Sequence, residues 1–340
     1  MLKLKKIASI VMLAAAVVFA AGCTKPDEPN NGGNDDAPVT VTTKTPSEIT
    51  TMSAVCGAEV SVSQDVSLKG IGVCWSTDEN PTVDNEHLST TTWSEPFTCT
   101  LTHLLANTEY HVRAYAMYGI DYYYGADKSF TTEAGIFNIN GHDFVDLGLP
   151  SGTLWATCNV DAASPEDYGS YFAWAETQMK TGYWWESYLY CNGGQDKLTK
   201  YCYLSNWGYN GFTDTLTMLT PSDDVATAHW GNGTRMPTRL EWRELGDQCI
   251  DVWKTMNGVE GRLFTGPNGN SIFLPAAGQH RENVFEEAGE KGHYWSCKLS
   301  TGQGGHPTWA GCFGFNSNDW YVSNGGRYFG YSVRPVYSAK

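Results

Sequence analysis

The sequence predicts a multidomain, strand-rich protein: an all-β sandwich followed by a domain that mixes strands with a helix. Three observations carry this. Strand-length apolar runs separated by turn clusters fill 39–133. One capped amphipathic pattern starts at Thr238. Residues 292–336 are aromatic, glycine-rich and nearly free of charge, which favours short strands and tight turns over helix. A chain of 340 residues suits two domains plus accessory segments.

Residues 1–22 read as an export signal. Lys3, Lys5 and Lys6 precede an apolar run that is shorter than the ~18–20 residues a spanning helix needs. Ala20-Ala21-Gly22-Cys23 resembles the bacterial lipobox, with alanine where leucine is usual at position 20. That resemblance implies lipidation of Cys23 and a membrane partner through this anchor; an ordinary signal peptide cut near Ala21 is the alternative. Residues 23–38 form a polar, acidic, flexible tether. Asp27 and Glu28 resemble the surface-export signal of Bacteroidetes lipoproteins, which implies an outer-membrane lipoprotein displayed on the cell surface. Removing the three leader lysines takes the formal charge from −15 to −18, a field that repels nucleic acid.

Within 39–133, Ala54–Val62 alternates around Cys56, and Lys69–Ser76 has a buried-strand pattern. Phe97–Leu105, Tyr110–Tyr118 and Tyr122–Thr131 follow, with turn clusters at 77–82 and 119–121. Such spacing predicts a β-sandwich. Leu105-Ala106-Asn107-Thr108-Glu109-Tyr110 resembles the tyrosine corner of fibronectin type III domains, and Trp75 and Tyr110–Gly119 extend the likeness. It implies a fibronectin type III-like spacer without a site. Cys56, Cys74 and Cys99 sit inside apolar runs and are expected to be mostly reduced core residues.

Residues 134–340 form the second domain. A strand, a Leu149-Pro150-Ser151-Gly152 turn and a second strand open it. Ser164-Pro165-Glu166-Asp167 is a helix-start signal. Residues 178–232 are a long aromatic and polar insertion, which suggests function or pinning by cross-links from Cys191 or Cys202. Thr238 and Glu241 form a capping box for a helix predicted over Arg239–Met256, with Trp242, Leu245 and Cys249 on one face. Strands near Arg262–Thr265 and Ser271–Pro275 and the closing hairpins complete the domain.

Met236-Pro237-Thr238-Arg239-Leu240-Glu241-Trp242 resembles a phrase of the formylglycine-generating-enzyme-like branch of C-type-lectin folds. With the stretches at 145–160 and 266–278 and the closing Gly330–Val336, it resembles the Fibrobacter succinogenes major paralogous domain of Bacteroidetes surface lipoproteins. The resemblance implies an α+β C-type-lectin-like domain, with its first and last strands together and recognition on loops and terminal hairpins. The same closing architecture occurs in variable proteins of diversity-generating retroelements. Residues 306–331, rich in Asn, Ser, Gly, Tyr, Trp and Asp, have the composition that adenine-directed diversification produces.

No H-E-x-x-H, G-x-S-x-G, P-loop or dinucleotide glycine pattern occurs, and the histidines are scattered. The sequence therefore predicts a binding protein and not an enzyme, with no catalytic residue. Formylglycine-generating enzymes hold copper with a close cysteine pair, whereas Cys297 and Cys312 are fifteen positions apart. Asn316, Asn318 and Asp319 offer oxygens to Ca²⁺, but a polar turn explains them as well, so no metal site is assigned.

The predicted contact set is Trp309, Asn316, Asn318, Trp320, Tyr321, Asn324, Arg327 and Tyr328, for a protein or glycan ligand. Phe313 and Phe315 are assigned to the core. By strand alternation Trp309 falls on their side. The runner-up functions are a fimbrial or adhesin tip subunit and, behind it, a metal-dependent oxidase.

Overall fold

Alternating apolar residues in the first third of the chain build two antiparallel sheets. The computed structural model describes residues 38–63, 66–92, 96–302 and 304–338. The export signal, Cys23 and the tether as far as residue 37 therefore lie outside the described residues. The first sheet has the order β1 (Val39–Thr43), β2 (Ala54–Val62), β5 (Phe97–Leu101). The second runs β4 (Glu86–Thr90), β3 (Gly70–Ser76), β6 (Glu109–Tyr118), β7 (Asp121–Tyr124), with β8 (Lys128–Thr131) also on β6. Ala54, Cys56 and Leu101 from one sheet meet Val73, Val112 and Ala114 from the other in a shared core. The corner expected at Leu105–Tyr110 is formed: the Leu105 N–H donates to the Tyr110 hydroxyl at 3.1 Å.

Two details differ from the sequence expectation. The run expected over Tyr122–Thr131 is split into β7 and β8. Gly125 lies between them, and a side chain there would meet the Thr43 backbone at 2.7 Å. β4 was not anticipated, because it is exposed or half-buried along its length and shows no apolar alternation.

The strands that follow share no sheet with the first eight. One sheet has the order β12 (Thr234–Arg235), β21 (Val336–Tyr337), β11 (Leu154–Ala156), β10 (His142–Asp146), β9 (Ile136–Ile139). The closing strand β21 thus lies beside β11, Trp155 opposite Val336, in the same sheet as the opening strand β9. A meander follows: β13 (Ile250–Met256), β14 (Val259–Thr265), β15 (Ser271–Pro275). The last sheet runs β17 (Val284–Ala288), β16 (Ala277–Arg281), β18 (Lys291–Leu299), β19 (Trp309–Asn316), β20 (Trp320–Gly326).

Two α-helices occur among the described residues of the region, α1 (Val225–Trp230) and α2 (Arg239–Gln248). The capping box of α2 is present as the sequence predicts, with Thr238 Oγ1 accepting from the Glu241 N–H. The helix itself stops at Gln248, eight residues short of the predicted end at Met256, and 250–256 is strand. β-branched Ile250, Val252 and Thr255 favour the extended state, and pairing with β14 along the whole strand gives alternate residues their backbone partners. The helix-start signal at Ser164 is likewise only a turn: the Asp167 N–H donates to Ser164 O, and Gly169 reverses the chain at φ 67°.

Trp242 and Leu245 of α2 pack with Trp155, Phe264, Phe313 and Phe315 in one core. On the other side of β18 and β19, Trp295, Cys297 and Cys312 join Trp174, Tyr201 and Tyr331 in a second. The sandwich is bonded to this region: the Ala106 N–H donates to Asn268 O at 2.6 Å and Thr51 Oγ1 to Asp146 Oδ2 at 3.0 Å. Residues Val39–Lys340 accordingly form one compact unit.

Candidate functional site

Strand alternation sends the side chains of β20 to opposite faces of the last sheet. Trp320 and Val322 pack on the core beneath α2, and Tyr321 lies on the other face, over Gly314. The expected contact set is therefore divided, and two members leave it.

Arg327 is the first correction. It is fully buried, with Nε donating to Tyr188 Oη at 2.9 Å. Its remaining nitrogens donate to the carbonyls of Tyr201 at 3.1 Å, Pro307 at 3.0 Å and Lys200 at 3.0 Å. The guanidinium also lies 5.1 Å from the Trp174 ring centre. A cation so enclosed satisfies backbone and ring partners and has no surface to offer a ligand.

Trp320 is the second. Its ring stacks on Phe313 at 5.9 Å, and a side chain at Gly246 of α2 would collide with it. Half-buried against the core, it fastens β20 to the helix.

Asn316 and Asn318 sit in the β19–β20 turn. Asn316 Oδ1 accepts from the N–H groups of Asn318 at 2.8 Å and Asp319 at 3.1 Å, and Asp319 Oδ1 from Trp320 N at 2.8 Å. Asn316 and Asp319, two of the three side chains considered for Ca²⁺, are thus engaged in shaping the turn. Tyr328 is half-buried against Trp185, ring centres 5.0 Å apart. Trp309, at the start of β19, is 45% exposed and sits beside His306, which meets Trp207 edge-on at 4.2 Å. Strand alternation sends it to the side of Phe313 and Phe315, but it opens the strand, ahead of Phe313, the first residue of β19 in that core. Phe313 and Phe315 are fully buried, as expected of them.

Asn324 points to a concave feature of this region. A cleft of about 610 Å³ lies between the first turn of α2, the end of β18 and β20, with Met218, Arg239, Leu240, Lys298, Thr301 and Asn324 in its wall. Arg239 frames it. Its stem crosses Gly311, where a Cβ would approach it to 2.8 Å, and its guanidinium donates to Asn324 Oδ1. Leu240 is 76% exposed and Met218 is exposed as well, so apolar surface borders two cations. Among the described residues, no carboxylate lines the cleft, although the chain carries a formal charge of −15. Leu240, Met218 and Lys298 were missed from sequence. The available signal was Leu240 itself, an apolar residue off the Trp242–Leu245 face of its helix.

The insertion at 178–232 is held by polar contacts, with Cys191 and Cys202 both free thiols. Buried Asp223 accepts from Lys200 Nζ at 2.5 Å, Tyr201 Oη at 2.5 Å and Tyr190 Oη at 2.8 Å. Burial alone would raise its carboxyl, and these donors instead hold it below the ordinary aspartate value. Cys297 and Cys312 are also free, and burial pushes each thiol up to about 12, so neither is poised as a thiolate. Among the described residues, no group of three or more His, Cys, Asp or Glu side chains converges to hold a metal ion.

No protein-family model matches the sequence, and a comparison with curated proteins returns no match. Solved structures give partial likenesses. The sensor domain of the anti-sigma factor RsgI4 of Pseudobacteroides cellulosolvens is 21% identical, with 29% of this chain and 98% of that one covered and a TM-score of 0.23. A fibronectin type III domain from the human KIAA0970 protein is 21% identical, over 28% of this chain and 73% of that one, at a TM-score of 0.22.

Proposed function

We propose that this chain is a lipid-anchored, surface-displayed binding protein whose C-terminal region recognises an extracellular protein or glycan. In this reading Cys23 carries the lipid, 39–133 is a fibronectin type III-like spacer, and 134–340 is a C-type-lectin-like recognition domain of the Fibrobacter paralogous type. Residues 306–331 are the segment in which retroelement-directed variation would fall, on exposed positions such as Trp309, Asn318, Tyr321 and Asn324.

The observation that carries the proposal is the cleft at the start of α2. Exposed Leu240 and Met218 offer apolar contact, Asn324 offers hydrogen bonding, and Arg239 and Lys298 favour a ligand bearing acidic groups. A few convergent polar groups beside apolar surface is the usual make-up of a recognition site. The test is a glycan-and-protein array probed with the wild type and with a Leu240→Ala, Asn324→Ala double variant. Hits that weaken in the double variant support the cleft, and hits that persist unaltered remove it.

A further inference from the structure

Cys56 and Cys99 are direct cross-strand partners on β2 and β5. Both face the sandwich core, Cys56 buried and Cys99 half-buried, and both are thiols in the structure. The neighbouring bonds define their pairing. Val55 exchanges both backbone bonds with Ser47, and Gly57 O accepts from Lys44 N, so the polar groups of 55 and 57 point away from β5. Those of Cys56 consequently point toward β5, which makes Cys56 and Cys99 a hydrogen-bonded pair. Such pairs have Cα atoms about 5.5 Å apart, inside the roughly 4.4–6.8 Å window of disulfides.

We propose that Cys56 and Cys99 are a redox-active pair that closes into a cross-strand disulfide when the protein meets a disulfide oxidant. With oxidised glutathione, the less buried Cys99 attacks as thiolate, forms a mixed disulfide and releases one glutathione. Cys56 then attacks the Cys99 sulfur and expels the second. One S–S bond breaks and one forms, two electrons leave with the two glutathiones, and the two thiol protons pass to them.

The bond would tie β5, which among the described strands of its sheet pairs with β2 only, to the interior of that sheet. Cross-strand Cβ atoms lie about 4.5–5.5 Å apart, and a disulfide prefers about 3.5–4.5 Å. Closure therefore draws the strands together locally and leaves a bond that is readily reduced. Burial pushes the Cys56 thiol up to about 12 and the Cys99 thiol to about 11, so exchange in the folded protein is slow at neutral pH.

The experiment uses the full chain, incubated with excess oxidised glutathione, alkylated and mapped by non-reducing peptide mass spectrometry. A cross-linked peptide pair joining Cys56 to Cys99 is expected. It disappears on reduction and in Cys56→Ala or Cys99→Ala, and persists in Cys74→Ala. The proposal is overturned if both cysteines are alkylated, if Cys99 stops as a glutathione adduct, or if Cys56 is joined to another cysteine.

Discussion

Arg327 Nε donates to the Tyr188 hydroxyl at 2.9 Å, joining the closing hairpins to a loop residue 139 positions earlier. The same guanidinium reaches the carbonyls of Lys200 and Tyr201. One buried cation thus organises the inner edge of the insertion, for which the sequence left open either function or pinning by cross-links from Cys191 or Cys202. Without it, the Tyr188 hydroxyl and three carbonyls lose their donor inside the protein. Each buried polar group left unpaired costs about 1–3 kcal/mol, so Arg327→Ala is expected to cost about 3 kcal/mol or more. A urea unfolding midpoint checks this, and limited proteolysis should find new cleavage within 178–232. An unchanged midpoint would return Arg327 to the surface.

The assignment of Trp320 to the core has a separable consequence. Its truncation to alanine should destabilise the protein by about 2–3 kcal/mol, the lower part of the range for aromatic truncation, because the ring is only half-buried. Binding per folded molecule should stay unaltered. Calorimetry of the variant, with ligand titrated at a temperature where it is fully folded, separates the two effects.

Acid should act through Glu241. Against the cost of its burial, two bonds from Arg235, at 2.6 and 2.8 Å, and one from the Thr238 N–H hold its carboxyl down at about 2, below the ordinary 4.5. A depressed folded value means stability that is fully present above about pH 4.5 and lost as pH falls toward 2, at most about 3 kcal/mol. Asp224, which burial pushes up to about 6, acts in the opposite sense between 3.8 and 6. Denaturation curves from pH 5 to pH 2 should therefore steepen in the lower half for the wild type. Glu241→Gln should be flatter there; equal slopes would show that the pair contributes nothing.

Much of the fold was legible where local signals and burial agree. Ala54–Val62 and Ser271–Pro275 are strands with the predicted bounds, and Thr238 caps α2. Phe313 and Phe315 were placed in the core by the same alternation that builds β19. What failed had tertiary causes. Helical spacing carried past Cys249 because Ile250–Met256 includes apolar residues at compatible positions, and only pairing with β14 decides for strand. Arg327 and Trp320 looked like contact residues by type. Their burial depends on Tyr188, Tyr201 and Gly246, partners remote in sequence. The cleft was illegible for the same reason, since Met218, Leu240, Lys298 and Asn324 meet only in the folded chain.

The central claim is that this cleft receives the ligand, and affinity measured on its wall tests that most directly. Ligand from the array is titrated into the wild type, into Leu240→Ala with Asn324→Ala, and into Trp309→Ala with Tyr321→Ala. The cleft pair should weaken Kd at least tenfold, about 1.4 kcal/mol, with unchanged unfolding midpoint. The second pair, off the cleft, should have the smaller effect. A wild-type Kd in the cleft variant, with loss of binding in the Trp309 and Tyr321 variant, would contradict the account and move the site away from the cleft.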